Sequence, residues 1–162
     1  MGFVDFLESF IHDGMLVTFL VAMTPVLELR GAIPVGTALG LSPMQAMLVS
    51  VLGNLVPVPF IVLFIRRVFD WMKRRIPRLR GLVSRLERKA ESKRELIHRW
   101  QLLGLFVLVA IPLPGTGAWT GALVAALLNI RLKHAFPAIA AGVVVAGMVV
   151  SLLTVGVTGL FA

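Results

Sequence analysis

The stretch Thr24-Pro25-Val26-Leu27-Glu28-Leu29-Arg30-Gly31-Ala32-Ile33-Pro34-Val35-Gly36 places one acid and one base between two apolar runs. Two prolines and two glycines surround this pair, so an uninterrupted helix is not expected here. A charged side chain at membrane depth is costly and commonly marks a functional site. Irregular backbone at that depth is tolerated only where it is buried in protein or lines a cavity. The stretch therefore predicts a broken, functional element inside a membrane domain.

The composition indicates an all-α integral membrane protein with one domain, residues 1–162. The chain is 58% hydrophobic, its mean hydropathy is +0.94, and several apolar runs approach or exceed the length that spans a bilayer. It contains no cysteine, which excludes disulfides and thiolate metal sites. We expect no metal and no cofactor.

The positive charge is concentrated in one segment. Residues 66–99 contain thirteen Lys or Arg and four acidic residues, net +9, whereas the rest of the chain is net −1. Cytoplasmic loops of membrane proteins are rich in Lys and Arg, so this pattern favours a topology signal over a nucleic-acid site. We expect a cytoplasmic helical loop that also contacts anionic lipid headgroups.

Apolar and polar runs divide the chain into six segments. They are an interfacial amphipathic helix (1–13), a first hairpin (14–41), a transmembrane helix (43–65), the basic loop (66–99), a second hairpin (101–130) and a transmembrane helix (135–161). Ser42-Pro43 is typical of a helix start. The second hairpin contains its own Pro/Gly loop, Ile111-Pro112-Leu113-Pro114-Gly115-Thr116-Gly117-Ala118-Trp119-Thr120-Gly121. Aligning Pro25 with Pro112, an offset of 87, gives both halves the same plan.

Two topologies are compatible with this plan. In one, 14–41 and 101–130 are kinked spans; in the other, each is a re-entrant hairpin that enters and leaves on one side. The re-entrant topology puts every base except Arg30 on the cytoplasmic side and the acidic N-terminus outside, which agrees with the positive-inside rule. It predicts a multi-pass protein of the plasma or inner membrane with two inverted repeats and both termini non-cytoplasmic. Asp13 and Ser42 then share the outer side, and Gln101 and Lys133 face the cytoplasm.

Two motifs carry a family resemblance that extends over nearly the whole chain. Pro25-Val26-Leu27-Glu28-Leu29-Arg30-Gly31-Ala32-Ile33-Pro34 and Pro112-Leu113-Pro114-Gly115-Thr116-Gly117-Ala118-Trp119-Thr120-Gly121 together resemble the small multidrug export proteins, which look like compact relatives of the DedA/VTT superfamily of re-entrant membrane proteins. The resemblance implies that Glu28 and Arg30 correspond to that superfamily's essential acid and base. It also implies proton-dependent transport and the return of polyprenyl-phosphate carriers. DedA proteins place further arginines in the second half, whereas the Gly115–Gly121 loop has none.

The candidate substrate- and proton-binding residues come from both loops and the first span. They are Pro25, Glu28, Arg30, Gly31, Pro34, Asn54, Pro112, Pro114, Gly115, Thr116, Gly117, Trp119, Thr120 and Gly121. In extended backbone Glu28 and Arg30 point the same way. They then form either a permanent ion pair or a site where Glu28 takes a proton and Arg30 binds an anion.

The other candidates also have structural alternatives. The Gly115–Gly121 backbone could hold an anion at a half-helix starting near Ala118, or its glycines could let two hairpins cross closely. Asn54 either lines a cavity or joins two helices, and Trp119 either packs or forms a wall of the site.

The expected function is proton-linked translocation of an amphiphilic anion, such as a polyprenyl phosphate or a phospholipid. The alternatives are export of cationic or lipophilic drugs, and a non-transporting protein that recruits a partner through its basic loop. An enzyme is not expected, because the three histidines lie at interfaces or in that loop. Small residues at Ala138, Gly142 and Ala146 predict a helix-packing face and a homodimer.

Overall fold

A computed structural model describes residues 13–76, 81, 84, 85, 88, 100–113 and 115–161, and these residues form helices and no strand. The predicted interfacial helix 1–13 lies outside the described residues except for Asp13. The helices are α1 (Gly14–Met23), α2 (Glu28–Ala38), α3 (Pro43–Leu55), α4 (Pro57–Arg75), α5 (Gln101–Ala110), α6 (Ala118–Leu127) and α7 (Leu132–Phe161). The all-helical prediction is confirmed.

Two helical stretches are long and apolar enough to cross a membrane. They are Pro43–Met72, with 30 residues, and Leu132–Val157, with 26 residues, while α1, α5 and α6 are shorter apolar helices. The first stretch is interrupted at Val56, immediately before Pro57. Proline supplies no backbone N–H and crowds the preceding turn, which explains the interruption.

The chain forms two compact units. Unit 1 comprises residues 1–56 and 143–162, and unit 2 comprises residues 57–142. Unit 1 therefore holds α1, α2, α3 and the C-terminal part of α7. Unit 2 holds α4, α5, α6 and the N-terminal part of α7.

In unit 1, glycines let three helices approach closely. A Cβ added at Gly36 of α2 would lie 2.7 Å from the Thr18 Oγ1 of α1 and 3.1 Å from the Ala46 Cβ of α3. A Cβ added at Gly53 of α3 would lie only 2.5 Å from the backbone oxygen of Phe19. Any larger side chain at these positions would push the helices apart, so these glycines set the packing distances within the unit.

In unit 2, Val109 of α5 is the residue on which α6 and α7 converge. A Cβ at Gly121 would lie 2.6 Å from its Cγ2, and a Cβ at Gly142 would lie 2.7 Å from its Cβ. The small-residue positions of α7 therefore include a close helix contact, since Gly142 packs on α5 of its own chain, and Ala146 is also buried within the chain. The expected homodimer stays a prediction.

The ends of α2 and α6 share one capping motif. Gly40 and Asn129 follow these helices with φ values of 90° and 59°. The next residues close the motif, because the Leu41 N–H donates to Gly36 O and the Ile130 N–H donates to Ala125 O, each at 2.9–3.0 Å. This is a Schellman cap with its apolar flanking residue. Because α1 and α5 also have ten residues each, the two helix pairs repeat one local design.

The predicted start of α3 is confirmed. Ser42 and Gln45 form a reciprocal capping box at the start of α3, with Pro43 in the first turn. Helix α4 extends into the basic loop and ends at Arg75, shortly before Pro77. Beyond residue 76, most of the predicted loop lies outside the described residues. Residues 81, 84, 85 and 88 of this segment are described, and they are helical.

Candidate functional site

The break between α1 and α2 is shorter than the sequence predicts. Only Thr24–Leu27 are non-helical; α2 begins at Glu28, whose N–H donates to Thr24 O at 3.2 Å. The expected loop over residues 28–36 is therefore wrong, since Pro34 lies inside α2. One turn further along, the Thr37 hydroxyl donates to Pro34 O at 2.8 Å and to Ile33 O at 3.1 Å.

Glu28 is buried and has an unusual backbone conformation. Its φ is 49°, and its side chain is 5% exposed. A left-handed conformation at a residue other than glycine costs about 1–3 kcal/mol and persists only where the surroundings enforce it. Such residues occur frequently at functional sites. An ionised Glu28 side chain is stabilised by about 0.3–1 kcal/mol at the N-terminus of α2, because the helix dipole favours negative charge there. This offsets part of the cost of the left-handed backbone.

Arg30 lies two residues further along α2 and is half-buried. The extended backbone on which the sequence interpretation placed Glu28 and Arg30 is not present, because Glu28–Ala38 is helical. Side chains two apart on a helix diverge. Gly31 leaves room for the preceding turn, because an added Cβ would lie 2.9 Å from the Leu27 Cβ. Pro25 and Pro34 are exposed.

The buried polar side chains of the described residues all lie in unit 1. They are Thr18, Glu28, Ser50 and Asn54. Thr18 donates to Gly14 O of its own helix at 2.6 Å. Among the described residues, neither the Ser50 Oγ nor either side-chain atom of Asn54 has a hydrogen-bond partner. Of the two alternatives stated for Asn54, the hydrogen bond to another helix is therefore not seen.

Ser50 is a candidate that the sequence interpretation missed. It lies one helical turn before Asn54, on the same face of α3. A serine and an asparagine at i and i+4 within an apolar helix form a recognisable polar stripe. The signal was present, but it resembles the ordinary helix-joining polar residues of membrane proteins.

Glu28 and Asn54 lie at about the same level of the three-helix unit. Helix α2 runs antiparallel to α1, since Gly14 is close to Leu39 and Gly36 is close to Thr18. Helix α3 runs along α1, so it is antiparallel to α2. Gly36 of α2 and Ala46 of α3 lie against each other. Glu28 precedes Gly36 by eight residues, and Asn54 follows Ala46 by eight residues. Because the two helices are antiparallel, both steps lead in the same direction, by about 12 Å along the helix axes. The buried carboxylate and the buried amide therefore belong to one region of unit 1.

The second loop, in unit 2, is held by its own hydrogen bonds. The Thr116 hydroxyl donates to Ile111 O and Leu113 O, each at 2.7 Å, and the Thr120 hydroxyl donates to Gly115 O at 3.2 Å. Gly115 and Gly117 have φ values of 81° and 132°, conformations that favour glycine. Helix α6 begins at Ala118, as predicted.

The remaining predicted residues of this loop differ in their surroundings. Gly121 is buried and allows the close approach of α5 to α6 within one helix pair. Pro112 and Trp119 are half-buried, and Pro114 lies outside the described residues. The described residues contain no group of three His, Asp or Glu that could bind a metal ion.

A family model described as "Putative small multi-drug export protein" matches residues 28–149, which is more than half of the chain. The chain belongs to this family. The match begins at Glu28 and includes Arg30, Asn54 and the whole second loop. Neither the curated proteins nor the solved structures give a match. Membership in the small multi-drug export family, together with the two membrane-length helices, makes this a membrane protein with a transport function. The relation to the DedA/VTT superfamily stays a prediction.

Proposed function

We propose that this small multi-drug export family member carries out proton-linked translocation of an amphiphilic anion, such as a polyprenyl phosphate or a phospholipid. The observation that carries the proposal is the buried, left-handed Glu28 at the start of α2, at the level of the unpartnered Asn54. A carboxylate is kept in such a position at a cost in folding free energy, which favours a functional role.

In this proposal Glu28 is the proton carrier. An ionised carboxylate only accepts hydrogen bonds, whereas a protonated one also donates. An asparagine amide has both a donor and an acceptor, so Asn54 suits either protonation state of Glu28. Ser50, one turn away, offers a hydroxyl with the same dual capacity. Neither side chain has a hydrogen-bond partner among the described residues, so the proposal requires that they pair with Glu28 or with the bound substrate during transport.

Arg30 is the proposed anion-binding residue. Its guanidinium has five donors in a planar fork that matches a phosphate. Neutralisation of Glu28 would raise the net positive charge of this end of α2. Proton uptake would thereby favour anion binding at Arg30, which links the two ligands thermodynamically.

The proposed topology keeps both helix pairs re-entrant. Residues 14–41 and 101–130 each enter and leave on one side, the two repeats are inverted, and the basic loop is cytoplasmic. The recurrence of helix lengths and of the Schellman caps at Gly40 and Asn129 supports a repeat. The distribution of basic residues supports its inversion.

Drug export is the second candidate, and the family description favours it. In that function the Glu28 carboxylate binds a lipophilic cation directly, and Arg30 has a structural role. The two candidates differ in the sign of the cargo, so they can be separated experimentally.

The test is transport by the purified protein in liposomes. Under a proton gradient, the wild type should move polyprenyl phosphate, and both Glu28→Gln and Arg30→Lys should insert normally yet lose most transport. Glu28→Gln should also lose the dependence of binding on pH. Arg67→Lys, at an exposed position of α4, is the control and should behave as the wild type.

Two results would contradict the proposal. If the pair is only structural, Glu28→Gln destabilises the protein because the half-buried Arg30 loses its counter-charge, and the double variant Glu28→Gln/Arg30→Gln recovers stability and activity. If tetraphenylphosphonium is transported and polyprenyl phosphate is not, the drug-export function is correct.

A further inference from the structure

Unit 1 contains an elongated groove with a volume of about 470 Å³ that the proposed transport site does not explain. One wall is the second half of α2, with Pro34, Thr37 and Ala38. The other is α7, with Leu153, Thr154 and Val157. Both walls belong to unit 1, and the residues of the α7 wall fall within the membrane-length stretch Leu132–Val157.

The chemistry of the walls favours an aliphatic occupant. The groove has two hydroxyl-bearing residues, and both hydroxyls are used within their own helices. Thr37 donates to Pro34 O at 2.8 Å, and Thr154 donates to Val150 O at 2.8 Å. The rest of the lining consists of proline, alanine, valine and leucine side chains. A bound group would therefore meet methyl and methylene surface, which suits a hydrocarbon chain and offers little to a polar solute.

A charged residue, Arg30, precedes the groove on α2. Arg30, Pro34, Thr37 and Ala38 are spaced at i, i+4, i+7 and i+8, which places them on one face of α2. Arg30 is half-buried and precedes the groove by one turn, about 6 Å along the helix axis. A cation at one end of an apolar groove is complementary to an anionic headgroup attached to a hydrocarbon tail.

We propose that this groove binds the tail of an anionic amphiphile whose headgroup lies at Arg30. The inference rests on the proposed anion-binding role of Arg30 and names the substrate class, which is an acyl or isoprenoid chain carrying a phosphate. A lipophilic cation, the cargo considered above for drug export, would meet the positive charge of Arg30 on this face of α2.

The test uses dodecyl phosphate with a photoreactive diazirine near the end of its chain, added to the full-length protein in phosphatidylcholine nanodiscs. After irradiation, peptide mass spectrometry should locate the label on residues 34–38 of α2 and 150–157 of α7. Unlabelled dodecyl phosphate should compete, whereas dodecanol and inorganic phosphate should compete at least about tenfold less well, because each supplies only one of the two contacts.

Two neighbouring residues of α7 give a matched pair of variants. Leu153 lines the groove, whereas Leu152 is also exposed but does not line it. Leu153→Trp should fill the groove and lower the labelling about tenfold, since it displaces the terminal methylenes of the chain. Leu152→Trp should label as the wild type, and equal folding of the two is checked by thermal unfolding. Ala38→Trp, on the opposite wall, provides a second filling variant.

The outcomes separate this inference from the transport function itself. If labelling is unchanged in both Leu153→Trp and Ala38→Trp, the groove is not the tail site. This conclusion holds even if Arg30→Gln abolishes labelling and so supports the anion site. Labelling that is lost in Leu153→Trp but unchanged in Arg30→Gln would overturn the headgroup assignment and count against the proposed function. Preferential labelling by the corresponding dodecyltrimethylammonium probe would overturn both.

Discussion

Asn54 has no exposed surface, and neither atom of its amide has a hydrogen-bond partner among the described residues. A buried polar group without a partner costs about 1–3 kcal/mol. Leucine branches at the same atom, so this replacement should raise the free energy of unfolding by up to about 1–2 kcal/mol, less the cost of fitting its larger methyl groups. If Asn54 serves the titration of Glu28, the same variant should lose transport. Thermal unfolding and liposome transport, measured on one preparation, test both parts.

Ser151 provides the control for Asn54→Leu. Its hydroxyl is also buried without a partner in the described part of unit 1, but no proposed role involves it. Ser151→Ala should be as stable as the wild type or slightly more stable, and it should retain transport. A destabilised Asn54→Leu protein would show that the amide has a structural partner after all.

Helix α3 depends on glycine at position 53 for its distance from α1. Gly53→Ala would bring a methyl group within 2.5 Å of the Phe19 backbone oxygen and 3.0 Å of the Ala22 Cβ. Backbone cannot move aside as a flexible side chain can, so we expect a destabilisation of about 1–3 kcal/mol. Denaturant or thermal unfolding in a fixed detergent measures this.

Gly104, inside α5, is the matched control for the same substitution. It has no atom within 4 Å of an added Cβ and lies in a ten-residue helix. Gly104→Ala should stabilise the protein by about 0.5–1 kcal/mol, because alanine has less backbone entropy to lose. Equal effects of the two substitutions would show that helix propensity, and not helix contact, determines the result at Gly53.

The membrane topology of the whole chain can be tested by cysteine labelling, because the natural sequence has no cysteine. Exposed residues near helix ends that make no side-chain cap are suitable: Met15, Met44, Trp100 and Lys133. With re-entrant helix pairs, single cysteines at 15 and 44 should react with an impermeant maleimide from the outside. Those at 100 and 133 should react only from the cytoplasmic side.

Labelling of positions 15 and 44 from opposite sides would establish kinked spans and contradict the inverted repeat. The physical basis of the prediction is length. Helices α1, α5 and α6 each have ten residues, or about 15 Å, half of the hydrocarbon thickness of a bilayer.

Local sequence determined the helical class, the two membrane-length helices, the start of α3 and the place of the first break. Ser42, Pro43 and Gln45 act within one turn, and a run of apolar residues has the same meaning wherever it occurs in the chain. The choice of Glu28 and Arg30 as candidates also needed only their position between apolar runs. For these features, the interactions that decide the structure lie within a few residues of each other.

Tertiary packing decided the rest. It allowed Pro34 to remain inside α2, so that the break is limited to Thr24–Leu27. Packing also put Gly142 against Val109 of α5, and it left Ser50 buried one turn from Asn54. The groove between α2 and α7 joins residues more than one hundred positions apart. A periodic pattern records which face of a helix is apolar, but the helix that covers this face depends on long-range contacts that no local segment contains.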